Sequence, residues 1–397
     1  MTDVPQPRRS VAFPDGLPLV RPWLPDQRRL RDELARVVAG GMLTNGPRVR
    51  RLEEAVAARL GVDVVAVSSC TAGLALVWQA VLSRPGAVVL PSSTFAASAH
   101  AVHWAGGTPR WAEVDPRRLT LDPRDAEARV DGDVVGISAT HVHGAPVPVE
   151  ALQELARRWR VPLVLDAAHA LGSSRGGVPI GRFGVAEVFS LSPTKVTVAG
   201  EGGLVATRDD GLVQTLRLGR DYGNPGSYDC LFPGLNARMS ELHAAVALHS
   251  LHYLDESVAR RNALVRLFAT GVAGLPGVRL QHVDESDVST YKDLTVVVDE
   301  EVTGVTVPEL ADALRAEGVD SRRYYHPPIH RQQAYRHLVP QHLPVTDRVS
   351  QEVLTLPLWS HMEPATVVRL ADVFVDVLGR LSGRRSRERR AVTARGQ

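Results

Sequence analysis

Lysine is nearly absent from this chain. Of its 397 residues 46 are basic, and only two of those are lysines, Lys195 and Lys292. Arginine stands almost everywhere a positive charge would serve, so a surviving lysine is a candidate for work arginine cannot do. A guanidinium stays protonated, whereas an amine can lose its proton and attack a carbonyl. Cysteine is equally scarce, with only Cys70 and Cys230, which argues against a disulfide-stapled secreted scaffold. Apolar runs such as residues 161–165 fall far short of the ~20 residues a membrane span needs. The first ten residues contain no apolar core of a secretory signal, so a cytoplasmic protein is expected. There is no CxxC or HExxH, and the 14 histidines show no ligand spacing, so no metal is expected. The net charge of +2 is too small to argue for nucleic acid. The basic excess sits in residues 383–397, with six arginines and one glutamate, which reads as a disordered, solvated tail.

What is present is a regular alternation. Strands are expected at 64–67, 87–90, 134–138, 161–165, 188–191 and 203–207, with helices at 72–82, 96–105 and 149–159 between them. Strands alternating with helices of this length imply βαβ units and a mainly parallel sheet. Strands that are apolar throughout fit a sheet covered on both faces. After about residue 250 the pattern changes. A long helix over 240–267 leads into a region with a strand at 294–298 and helices at 307–317 and 365–378. The expected organisation is a proline-rich arm over 1–25, a large α/β domain over 26–250, a smaller α+β domain over 251–380 and the tail over 381–397.

In open α/β sheets, ligands bind beyond the carboxyl ends of the strands. The polar residues of note fall there. Lys195 lies just past a strand, in SPTKVTVAGEGG (192–203), where glycines permit tight turns; the bland alternative is a surface lysine in a glycine-rich hairpin. Lys292 has no such surround and reads as a salt-bridging lysine. Asp166 ends the strand 161–165. Taken alone it is a helix cap. Paired with Lys195, it is a carboxylate that could keep a pyridine nitrogen protonated, as pyridoxal 5′-phosphate (PLP) chemistry requires. His169, three residues on, reads as a contact to such a ring or as a turn histidine. The small-residue turn 68–73 opens a helix, whose N-terminus suits a phosphate; Thr71 and Ser190 add hydroxyls. Phe95 could stack on a flat ring or serve the core. His141 and His143 follow a strand end and read as cleft-lining or buried.

These motifs together resemble the DegT/StrS family of sugar aminotransferases, PLP enzymes of fold type I. The likeness runs from about Pro18 to Leu378 and includes SSCTAGL (68–74), LPSSTFAASAHAV (90–102), LDAAHALGS (165–173), SLSPTKVTVAGEGG (190–203), GLNARMSELHAA (234–245) and YYHPPIH (324–330). It implies that Lys195 forms the Schiff base, Asp166 pairs with the ring nitrogen and His169 lies by the cofactor oxygen. It implies that Cys70, Thr71 and Ser190 hold the phosphate and that Phe95 stacks on the ring. It implies a homodimer with shared active sites, in which Asn236 reaches the neighbour's phosphate. Cys70 departs from the pattern, since many relatives have glycine there; the backbone N–H survives that change. Tyr222, Arg238, Tyr325, His326 and His330 are the expected substrate contacts. The implied reaction moves an amino group, from L-glutamate in the family, to a nucleotide-linked keto-deoxysugar in antibiotic or glycan assembly. A keto-inositol substrate is the alternative. A dehydratase is a third reading, which Lys195 disfavours, because such relatives carry histidine at that position.

Overall fold

The structure, a computed structural model, describes residues 10–339 and 341–395, with only the backbone for 384–395. Residues 1–9 of the expected arm and 396–397 of the expected tail lie outside the described residues.

Among the described residues twelve strands follow one another along the chain: β1 (Asp63–Val67), β2 (Ala87–Pro91), β3 (Thr108–Ala112), β4 (Val134–Thr140), β5 (Leu163–Asp166), β6 (Ser174–Arg175), β7 (Val178–Pro179), β8 (Ala186–Ser190), β9 (Gly203–Thr207), β10 (Val278–Leu280), β11 (Leu294–Val298) and β12 (Val353–Leu356). Seven of them form one sheet in the order β1-β9-β8-β5-β4-β2-β3. Neighbours from β3 across to β8 pair in parallel. β9 is antiparallel to both β8 and β1, so it alone runs against the other six. The sheet is therefore mainly parallel, as expected. Strands β2, β4, β5, β8 and β9 are buried at every residue. That follows from helices on both faces: one apolar cluster forms around Leu52, Phe189 and Leu254, and others form around Trp78 and Leu152.

The alternating pattern hid one strand of this seven-stranded sheet. β3 contains Pro109 and Arg110 and does not read as a strand. It pairs only with β2, at the sheet edge, and an edge strand tolerates a proline that a central strand would not.

The expected long helix over 240–267 is two helices, Glu241–Leu251 and Leu254–Gly271. The break at 252–253 contains neither glycine nor proline, so periodicity runs straight through it. Tertiary contacts make it. The N-terminal arm crosses there, with Trp23 against Tyr253 at 5.5 Å between ring centroids and Pro25 O bonded to the His249 ring. The second helix joins a different core. Phe268 meets Phe374 of the last helix edge-to-face at 6.0 Å, over the antiparallel sheet β10-β11-β12. Leu17 of the arm is buried in that same cluster. The last helix, Pro364–Arg395, is longer than the expected 365–378 and carries the backbone of 381–395 in helical form rather than as a disordered tail. Its C-terminal stretch, residues 381–395, has no proline and is rich in arginine, a good helix former. Among the described residues no helix is long and apolar enough to cross a membrane.

Candidate active site

Strands β5 and β8 run in the same direction, so Asp166 and Ser190 arrive together at their carboxyl ends. The chain then leaves β8 through a loop that returns as β9. Lys195 sits in that loop, with its N–H donating to Ser192 O at 3.0 Å. The loop is pinned on both sides. Ala199 N–H donates to Leu191 O at 2.7 Å, and Val198 N–H donates to Ser250 Oγ at 3.0 Å. With its backbone held, Lys195 turns its amine into a cavity that it lines with Phe95, Asp166, His169 and Tyr325. Thr94, Thr140, Ala168, Ser192, Thr194, Lys292 and Tyr324 complete the wall.

Asp166 is 3% exposed. Its Oδ2 accepts from Ser98 Oγ at 2.5 Å and its Oδ1 from Ala168 N–H at 3.0 Å. Oδ1 also faces the Cys70 thiol, but Oδ2 keeps a further lone pair, so the carboxylate can still accept from the cavity. Burial pushes the Lys195 amine down to about 8, helped by the positive charge of Lys292 and opposed by the Asp293 and Asp166 carboxylates. An amine in that range is still mostly protonated near physiological pH, but its neutral fraction is about two orders of magnitude larger than that of an ordinary lysine, and the neutral form is the nucleophile.

His169 is buried, and that burial holds its ring well below the ordinary histidine range, with Lys195 and Lys292 adding to the effect. Its Nδ1 accepts the backbone N–H of His143 at 2.9 Å, so the neutral ring carries its proton on Nε2. His143 presents that N–H from a left-handed backbone, φ 59°. Gly144 follows at φ 95°, where an added Cβ would stand 2.0 Å from Thr290 Oγ1. That hydroxyl donates to His169 O at 2.5 Å. Behind His169, Asp293 accepts from His143 Nδ1 at 2.9 Å and from Lys292 Nζ at 2.7 Å. Donor atoms of His143, His169 and Asp293 lie within 4.8 Å of one another, but His143 Nδ1, His169 Nδ1 and Asp293 are already hydrogen-bonded within this network.

Cys70 and Thr71 begin the helix Cys70–Val81, whose cap Ser69 accepts from Ala72 N–H at 3.1 Å. The amides ahead of Ala72 have no intrahelical carbonyl to pair with. The Cys70 thiol lies beside Asp166, Sγ to Oδ1 4.0 Å, and burial pushes its pKa well up, so it is neutral. Gly203 on β9 closes the other side: a Cβ there would meet Cys70 N and Ser69 C at 2.6 Å. Ser190 is buried next to this turn and accepts weakly from Ser192 N–H at 3.4 Å.

Other expected site residues fall elsewhere. His326 lines an outer cleft that shares Thr94, Phe95, Tyr324 and Tyr325 with the inner cavity. His330 does not face the Lys195 cavity. Its Nδ1 bonds Ser92 Oγ at 2.7 Å and its Nε2 lies 3.1 Å from Asp347 Oδ1, which makes it a clamp between segments. Tyr222 and Asn236 are exposed, and Arg238 covers the Tyr222 ring at 5.3 Å while pairing with Asp221. None of these three lines the Lys195 cavity of the chain. His141 is a fully buried core residue, bonded to Glu187 Oε1 at 3.0 Å and to Val147 N–H at 3.1 Å. His143 lies one layer behind the cavity wall. Sequence reasoning missed Ser98, Thr140, Tyr324 and Asp293: Ser98 and Tyr324 lie inside matched motifs without being singled out, and Thr140 and Asp293 lie in none. Lys292 had a signal, its rarity, but reads from sequence as an ordinary ion-pairing residue. It does pair, with Asp293, yet it also lines the cavity.

The model of the DegT/DnrJ/EryC1/StrS aminotransferase family matches residues 26–375. The chain belongs to that family. It is 34% identical over 344 residues to the dTDP-3-amino-3,4,6-trideoxy-alpha-D-glucose transaminase of Streptomyces venezuelae, covering 85% of this chain and 89% of that protein. Among solved structures it superposes on DesI in the presence of its TDP-sugar product with a TM-score of 0.89 and 35% identity, over 96% of this chain and 97% of that one. S. venezuelae DesV in complex with a ketimine intermediate matches with a TM-score of 0.86 and 31% identity, over 91% and 98% of the two chains. The chain is thus a fold type I aminotransferase, a class that works with PLP.

Proposed function

We propose that this aminotransferase carries PLP covalently on Lys195 and moves an amino group from an amino acid, L-glutamate as its donor, to a keto carbon of a nucleotide-linked deoxysugar. Its place is a cytoplasmic route to an antibiotic or surface glycan. One observation carries the reading: the Lys195 amine, the Asp166 carboxylate and the His169 ring meet in one buried cavity at the carboxyl ends of parallel strands. The kinship with a dTDP-sugar transaminase supports the substrate class.

The residues present fit the cofactor. The lysine is partly neutral, the carboxylate has open lone pairs, and the helix N-terminus at Cys70 and Thr71 is closed by a glycine that leaves room for nothing larger. When bound, PLP supplies an electron sink that lets a proton leave the carbon bearing the amino group. Lys195 would hold the group covalently through its amine, and the same amine is the base placed to take and return that proton. Asp166, held by Ser98 and Ala168, keeps the pyridine nitrogen protonated. His169 offers an N–H without adding a charge. Phe95 and Tyr325 shield the reacting centre, and the turn at Cys70, Thr71 and Ser190 takes the phosphate. Tyr222, Asn236 and Arg238 are assigned to the site of a second copy in a homodimer, which accounts for their position outside this chain's own cavity. Tyr325 and His326, on the inner and outer cleft walls, are assigned to the sugar substrate.

Borohydride reduction followed by peptide mapping tests the reading. The cofactor mass is expected on the peptide bearing Lys195; a mass elsewhere, or none, refutes it. Glutamate should convert the bound cofactor to its amine form, seen as loss of the visible absorbance. Nucleotide-linked ketosugars should then be turned over in preference to keto-inositols.

A further inference from the structure

Both lysines of the chain line one cavity. With 44 of the 46 basic positions taken by arginine (46 less two lysines), that coincidence calls for a physical reason. Lys292 is 4% exposed, and a buried ammonium is costly unless paired. Its Nζ donates to Asp293 Oδ1 at 2.7 Å and stands 5.2 Å from the centre of the Tyr324 ring. Its backbone is held as firmly. Its N–H donates to His143 O at 2.9 Å, and the buried Arg261 donates to Tyr291 O and Lys292 O at 2.9 and 3.2 Å. Replacing a buried ion pair by apolar residues is commonly neutral or stabilising, so stability alone does not explain the pair.

We propose that Lys292 is a positioning residue for Lys195: its Asp293-pinned ammonium is a fixed positive charge on the shared cavity wall that disfavours a second ammonium and so keeps the Lys195 amine available as a nucleophile. The inference rests on Lys195 being the reacting lysine. The charged and titratable groups around that amine come from every neighbouring element. Cys70 opens the helix after β1, Asp166 ends β5 and His169 follows it, Lys292 and Asp293 precede β11, and Tyr324 and Tyr325 lie on the loop before the 3₁₀ turn Ile329–Arg331. Cys70, Tyr324 and Tyr325 are held neutral by burial, and so is His169. That leaves Asp166 and Asp293 drawing a proton to Lys195 and Lys292 opposing them. Lys292 has the larger influence after burial itself. Arginine in its place would keep the charge, and methionine would remove it.

The scarcity of lysine makes the test clean. Full-length chain freed of cofactor is pulsed with acetic anhydride across pH 6 to 11, and the Lys195 and Lys292 peptides are quantified by mass spectrometry. The wild-type midpoint for Lys195 is expected near 8. Lys292→Met should raise it, so that labelling at pH 7 falls about tenfold for every pH increment of one by which the midpoint climbs. Lys292→Arg should leave it in place. Because Lys292→Met strands the Asp293 carboxylate and could fail to fold, Lys292→Met with Asp293→Asn is the deciding variant. It removes both members of the pair, and a smaller rise of the midpoint is still expected. An unmoved or lowered midpoint in the folded double variant overturns the proposal, as does an equal rise in Lys292→Arg. Borohydride trapping keeps the two failures apart: cofactor on Lys195 with an unmoved midpoint sinks only the role of Lys292.

Discussion

His143 gives its backbone N–H to Nδ1 of His169 at 2.9 Å, and this one bond decides which nitrogen of His169 points its proton into the cavity. It depends on a glycine. Gly144→Ala would force a Cβ to within 2.0 Å of Thr290 Oγ1 at φ 95°. The expected result is a loss of stability of about 2 kcal/mol or more, since strain at a left-handed position adds to a steric clash. Thermal unfolding measures it, and an unchanged Tm would contradict the local geometry.

Lys195→Ala and Lys195→Arg should both lose the visible band of the bound cofactor and all measurable turnover. The arginine variant is the more telling, because it preserves charge while removing the ability to lose a proton. Activity in either variant, measured by glutamate-dependent amination, would overturn the assignment of Lys195.

Asp166→Asn should lower kcat by roughly 10- to 150-fold at least, the equivalent of a charged hydrogen bond worth about 1.5–3 kcal/mol. Ser98→Ala should cost less, about 1 kcal/mol, because Ala168 still donates to the carboxylate. A steady-state comparison of the two variants checks the ranking, and a reversed order would place the important contact at Ser98.

The Lys195 amine is depressed in the folded chain, so the unfolded state binds the proton more tightly. Below about 8 both states are protonated and the folded chain bears the full cost of a buried charge. As pH rises from about 8 toward the ordinary lysine value of 10.5, the folded state sheds the proton first and that cost disappears. Cofactor-free protein should therefore gain stability over this window relative to Lys195→Met. Parallel Tm curves for the two proteins between pH 7.5 and 10 would show that the amine keeps its ordinary proton affinity in the folded chain.

Glu241 is 1% exposed and accepts the backbone N–H groups of Gly46, Arg48 and Val49 at 2.9, 2.9 and 2.8 Å. It thereby caps the helix Pro47–Leu60 from across the fold, where the N-cap residue itself is a glycine without a side chain. Glu241→Ala should destabilise the protein by about 2–4 kcal/mol, since several buried donors lose their partner at once. Denaturant unfolding tests this, and a loss under about 0.5 kcal/mol would show that water replaces the carboxylate.

Much of the site is visible in the sequence because it is local. Lys195, Asp166 and the turn at Cys70 each follow a buried apolar strand, and a parallel sheet brings the carboxyl ends of such strands together without further information. Lysine scarcity narrowed the candidates to Lys195 and Lys292, and the glycine-rich segment past a strand end favoured Lys195. The sequence also determined the covered, mainly parallel sheet, since strands that are apolar throughout need shelter on both faces. What only the tertiary structure decided is what meets across long separations. Lys292 and Asp293 reach His143 and the Lys195 cavity from a separate antiparallel sheet, the arm breaks a helix at residues 252–253, and Ser92 and Asp347 divert His330 from the cavity. Periodicity reports which face of an element is buried. It carries no information on the partner that buries it, and in this chain the fine electrostatics of the cavity belong to those partners.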